Sequence, residues 1–250
     1  MAEKVPTKSG NPYHDEHSGE FVSPGDTSQI DGEELDDKQK RVVERMRKLM
    51  GIQKEEPKAI FEENPINKQN DLDNPYGFKR IIGEHSYEDD TRKVNPNYSL
   101  GREYQINCQR CVPTYEMRRR GFDVEALPRR ETWDHLARGG GMLKIFKDVK
   151  TSEIMSKRKN KVQDELTNVL KSYGPGSRIA IRIGWDYSDR MGHVFIGENI
   201  NGEIHFIDPQ NGKTDVSSYF SYMKLSGFNK SYYYRIDNLE PAEYIKECCK

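Results

Sequence analysis

Asn107-Cys108-Gln109-Arg110-Cys111 is the stretch on which the reading of this chain turns. A helical segment follows, Cys111 to Arg120, with Pro113 tolerated in its first turn and Gly121 as its stop. A helix start carries unpaired amide N–H groups, and together with a nearby imidazole these favour the thiolate, the nucleophilic form of cysteine. His193, in a strand-like stretch further on, offers that imidazole. The pattern suggests a cysteine nucleophile with its base.

The sheet that would carry the base is legible from Ser177 onward, where Ile179, Ile181, Ile183 and Trp185 alternate with polar or small residues. Two further strands, Gly192 to Glu198 and Glu203 to Asp208, flank Asn201-Gly202, a hairpin signal because both residues tolerate positive φ. A last strand is expected at Ser231 to Ile236. With a two-residue turn, facing residues have numbers that sum to 403, so His193 lies opposite Gln210 and Phe195 opposite Asp208. His193 and Asp208 then share a sheet face as diagonal neighbours, about 7–8 Å apart at Cα, within reach of an imidazole–carboxylate bond. Such a carboxylate fixes the tautomer of the base and steadies the imidazolium. The order Cys, His, Asp is the one a papain-like site needs.

Other segments are placed more coarsely. Phe122 to Leu127 alternates like a strand, Gly139 to Gly141 reads as a turn, and Met155, Val162, Leu166, Val169, Leu170 and Tyr173 form a helical stripe stopped by Gly174-Pro175-Gly176. The fold class expected is α+β, a nucleophile helix packed on an antiparallel sheet behind a flexible, partly helical N-terminal extension. Residues 1–30 read as a disordered tail and 31–51 as an amphipathic helix with its stripe between Leu35 and Met50. Pro-, Asn- and Asp-rich loops fill 52–89, a compact domain spans 90–240, and 241–250 form a fraying tail.

The 250 residues allow one such domain plus appendages. A net charge of −1, with 32% charged against 34% hydrophobic residues, gives no basic field for nucleic acid or a membrane surface. No apolar run reaches the roughly 18 residues of a membrane span, and the opening residues lack the apolar core of a secretory signal, so a soluble product made in the cytoplasm is expected. Four cysteines in two close pairs, Cys108/Cys111 and Cys248/Cys249, are too few and too clustered for a disulfide scaffold. A zinc site from these four is disfavoured, since adjacent cysteines ligate one tetrahedral metal poorly. His14 and His17 with Asp15 and Glu16 lack rigid support for a metal. No metal or organic cofactor is expected. Arg118, Arg119 and Arg120, with Arg110, either complement the helix dipole or hold an acidic substrate.

Several segments together resemble a known family. They are Asn95 to Tyr98, Tyr104 to Val124, Gly192 to Ile196 (Gly-His-Val-Phe-Ile), Ile207 to Gly212 (Ile-Asp-Pro-Gln-Asn-Gly) and Tyr234 to Leu239. They are similar to the papain fold toxin family of glutamine deamidases, over about residues 90 to 240. Members occur as effector domains of polymorphic toxins and at the C-terminus of phage minor head proteins. In the tail, Asn11 to Gly25 resembles the short leader of tailed-phage head-associated proteins.

The resemblance implies a cysteine nucleophile, His193 as base and Asp208 as its orienter. Cys108 follows asparagine as in the family's Asn-Cys pair. Cys111, six residues after Gln105 and two before Pro113, matches the spacing at the papain site. Cys108 is preferred and Cys111 is the alternative. Gln105, Asn107, Gln210 and Trp185 are the candidates for oxyanion or substrate binding. The implied activity is hydrolysis of a carboxamide, with a protein glutamine as substrate. The same acyl-enzyme chemistry serves a peptidase. A virion-associated binding protein with an inactive domain is the reading of a different class, motivated by the leader and helix. Phage capsid or head proteins and an immunity protein are the further partners expected. The resemblance implies synthesis in the cytoplasm of a bacterial host, with association with a virion or delivery into a target cell as further fates.

Overall fold

The computed structural model describes residues 74, 76–130, 134–138, 140–188 and 191–250. The leader, the helix expected within 31–51 and the first part of the 52–89 linker therefore lie outside the described residues. Four α-helices are described, α1 (Tyr87–Val94), α2 (Arg102–Gln105), α3 (Cys108–Arg119) and α4 (Val162–Tyr173). The strands are β1 (Ser152–Glu153), β2 (Arg178–Gly184), β3 (Gly192–Ile200), β4 (Glu203–Ile207) and β5 (Tyr232–Arg235). They form one antiparallel sheet in the order β1-β5-β2-β3-β4.

The Asn-Gly turn sets the register that matters. Asn201 and Gly202 adopt φ of 54° and 97°, and the β3–β4 ladder runs from Ile200↔Glu203 to Ile196↔Ile207, as a two-residue loop dictates. The sheet is covered on both faces, which is why β2 is buried along nearly its whole length. Leu166 and Leu170 of α4 are fully buried, and a Cβ added at Gly197 would come within 2.9 Å of Leu170 Cδ1, so helix and sheet meet at a glycine. Val112 and Tyr115 of α3 share a core cluster with Ala180, Val194, Ile196 and Tyr234. Each large side chain so buried contributes about 1.5–3 kcal/mol.

The bases of α3 differ most from a surface reading. Arg110 and Arg118 are 1% exposed and Arg120 is 6% exposed, so they neither sit in solvent nor face a substrate. Glu116, fully buried, takes Arg178 Nε at 2.6 Å and Arg120 Nε at 2.7 Å. Asp90 takes Arg118 Nε at 3.1 Å and Arg119 Nη1 at 3.2 Å, and Glu198 takes Arg119 Nε at 3.0 Å and the Tyr115 hydroxyl at 2.5 Å. Burial alone would raise the Glu116 pKa, but Arg178 and Arg120 outweigh it and hold the carboxyl below its ordinary range.

Other expectations need correction. The helix begins at Cys108, three residues before the expected start at Cys111, so Pro113 sits beyond its first turn. Phe122 to Leu127 is a strap rather than a strand. Its amides reach different segments in turn: Asp123 to Lys79, Glu125 to Lys250, Ala126 to Val94 and Leu127 to Cys248. Met155 lies outside α4 and is 71% exposed; Glu165 instead accepts the amides of Met155 and Ser156, at 2.8 Å each. A boundary at Asp90 would cut α1, and the preceding residues are already packed, with Tyr76 donating to the Pro241 carbonyl at 2.6 Å and Phe78 against Phe122. The segment 241–250 does not fray. Ile245 and Cys248 are fully buried, Cys249 pairs with Ala126, and the Glu247 carbonyl accepts the Arg110 guanidinium. Among the described residues no helix is long and apolar enough to cross a membrane.

Candidate active site

Asn107 caps α3 from outside, its carbonyl accepting the amides of Arg110 at 2.8 Å and Cys111 at 3.1 Å. The amides of Cys108 and Gln109 precede the first intrahelical acceptor, so they remain at the open end of the helix. The thiol of Cys108 is half-buried there, donates to Gln109 Oε1 at 3.7 Å, and lies near enough to His193 to favour its imidazolium. Cys111, one turn on, is fully buried and donates to Asn107 Oδ1 at 3.2 Å. Burial first, then the nearby Cys108 and Asp208, push its thiol pKa well up. Of the two cysteines, the geometry brings Cys108 to the imidazole.

His193 is the second residue of β3, paired through the ladder with Ile183 on one side. On the other side β4 has already left the ladder at Ile207, which opens room for a side chain from the following turn. Asp208 fills it. His193 Nε2 meets Asp208 Oδ2 at 2.9 Å, leaving Nδ1 as the ring nitrogen available to Cys108. The imidazole–carboxylate bond expected from the hairpin is present, although the ladder stops at Ile196↔Ile207 and does not extend to the expected pairs Phe195–Asp208 and His193–Gln210. Burial disfavours the imidazolium, yet Asp208, followed by Cys108, outweighs it and carries the His193 pKa up to about 10. The site thus favours an imidazolium beside sulfur.

Asp208 is 1% exposed and saturated with donors. Beyond His193 it accepts the Gln210 amide on Oδ1 at 3.0 Å and the Tyr219 hydroxyl on Oδ2 at 3.0 Å. Trp185 stacks parallel to His193, with centroids at 6.2 Å, and Tyr187 stacks on Trp185 in turn at 5.9 Å. An aromatic row therefore leads from a part-exposed tyrosine to the base.

The remaining candidates divide. Gln105 closes α2, half-buried, three residues before Cys108. Asn107 is fully buried and its amide donates to the Leu127 carbonyl at 3.1 Å, which makes it a fastening of the helix start rather than a group facing substrate. Gln210 is 7% exposed; its backbone serves Asp208, and its side-chain Nε2 is buried without a partner. Two residues escaped the sequence reading. Asn95 Nδ2 donates to the carbonyls of Tyr104 and Gln210, at 2.8 Å each, tying the segment before Cys108 to the turn after Asp208. Asn95 opens one of the segments that carried the resemblance, whereas Tyr219 stands in none of them. Among the described residues no group of three or more His, Cys, Asp or Glu side chains is placed to hold a metal ion.

Residues 106–213 match the family model of papain fold toxin 1, glutamine deamidase. The match opens just before Cys108 and closes just after Asp208, so it holds α3, β2, β3 and β4 entire. The matched segment thus contains Cys108, His193 and Asp208. The comparisons with curated proteins and with solved structures return no match.

Exposure now separates the thiols sharply. In the native protein iodoacetamide should label Cys108 first, while Cys111, Cys248 and Cys249, all buried and all with pKa raised by burial, should react only on unfolding. Peptide mapping after brief labelling checks this. Equal labelling of all four would contradict the packing described, and labelling confined to Cys111 would transfer the nucleophile role to it.

Proposed function

We propose that this domain is a cysteine-dependent amidohydrolase that converts a protein glutamine to glutamate, in the manner of a toxin effector. The observation that carries the reading is Cys108 at a helix start, electrostatically coupled to His193, with His193 held by Asp208. The Cys108 thiolate attacks the carboxamide carbon, and the oxyanion that forms lies against the amides left open at the start of α3. His193 gives its proton to the departing nitrogen, the C–N bond breaks, and ammonia leaves a thioester. The neutral imidazole then takes a proton from water as it attacks, and the thiol departs from glutamate. Asp208 holds the ring by Nε2 throughout.

The test is mass spectrometry of a proteome treated with the protein, with the Cys108→Ala variant as control. Glutamine sites gaining the mass difference between amide and acid are the expected result. New chain termini without such gains would replace the deamidase with a peptidase, and an unchanged proteome would remove hydrolysis from consideration.

A further inference from the structure

We propose that Tyr219 is a positioning residue of this catalytic centre, holding Asp208 and fencing His193 so that one imidazole orientation persists through turnover. The inference rests on the hydrolase reading above but lies beyond the matched segment. Tyr219 belongs to a 3₁₀ turn, Ser217–Tyr222, past residue 213.

Its hydroxyl has a fixed direction. Asn211 Nδ2 donates to the oxygen at 3.1 Å, and the hydroxyl proton goes to Asp208 Oδ2 at 3.0 Å, the same oxygen that accepts His193. The ring meets His193 edge-on at 5.7 Å and 74°, Trp185 at 5.8 Å and 79°, and Phe195 at 5.6 Å and 89°. Tyr219 is 4% exposed, so water does not compete for the hydroxyl. The turn residue Asn211, the carboxylate and the base are thereby linked through one side chain. Because burial, and then Asp208, push the Tyr219 pKa up, it remains a donor wherever the enzyme works.

A second donor on Asp208 also moderates the base. The carboxylate shares its charge between Tyr219, the Gln210 amide and His193, so removal of the hydroxyl leaves more of it for the imidazolium. The titratable groups facing His193 are Asp208 and Cys108, and Tyr219 itself is faced by Asp208 and Tyr98. Loss of the Tyr219 hydroxyl should thus raise the His193 pKa further.

Tyr219→Phe keeps the ring and deletes only the donor. We expect kcat to fall about tenfold with KM unchanged, the effect of one lost hydrogen bond at the reacting centre. The alkaline limb of kcat/KM should move to higher pH. NMR titration of His193 should move in the same direction, and it is read without substrate. Wild-type kinetics together with a wild-type His193 titration in Tyr219→Phe would overturn the proposal. If instead the wild-type protein hydrolyses no amide, the function assigned above fails while the titration still decides the role of Tyr219. Should Tyr219→Phe not fold, Asn211→Ala, which leaves the tyrosine in place but weakens its donation, must show the same upward shift in smaller measure. An unmoved titration there would overturn it equally.

Discussion

His193→Ala should lower kcat by about 10⁴-fold, the cost of losing a base that also delivers the leaving-group proton. Cys108→Ala should lose at least as much, since no thioester can form. The double variant should be no worse than the poorer single one, because the two groups act as a unit. In the wild type, the imidazolium carried up to about 10 by Asp208 and Cys108 should hold kcat/KM level to mildly alkaline pH and end it near that value. Ammonia release against pH checks both. Undiminished turnover in His193→Ala would end the mechanism whichever cysteine reacts.

The second large effect concerns stability. Glu116 is the fully buried acceptor of Arg120 and Arg178, and breaking a buried pair on one side costs about 3–5 kcal/mol because the partner charge is left uncompensated. Glu116→Gln should therefore lower the urea midpoint accordingly and the Tm by on the order of 10 °C. The pH dependence has a definite sign. The folded-state pKa of Glu116 lies below the unfolded value, so its stabilisation is present above the unfolded carboxyl range and vanishes as pH falls through the folded one. A loss under about 1 kcal/mol, as at an exposed pair, would mean the network is dispensable.

What could be read in advance follows a physical line. The hairpin and the His193–Asp208 relation were legible because Asn201-Gly202 fixes loop length and strand parity carries the rest. The choice between Cys108 and Cys111 was not. Pro113 suits a first turn, which places the expected helix start at Cys111; burial and direction separate the two thiols, and both are tertiary. The arginines of α3 looked like a solvated, dipole-complementing end because their partners Asp90, Asp134 and Glu198 come from distant elements. Tyr219 had no local mark at all. It joins the site through a turn whose path only the folded chain defines.

The strap and the segment after Pro241 set an order of events for a ribosome making this protein. Arg110 of α3 donates to the Glu247 carbonyl and to Asp134, Thr114 reaches the Cys248 carbonyl, and Leu127 donates to that same carbonyl. Until residues 247–249 have left the exit tunnel, the helix has a guanidinium and a core face without their partners, although Cys108, His193 and Asp208 have long been synthesised. Domains fold as units once their last contacts are available. The domain therefore gains its framework only as residues 247–249 emerge, and a nascent chain stalled earlier carries Cys108 on a helix that is not yet anchored.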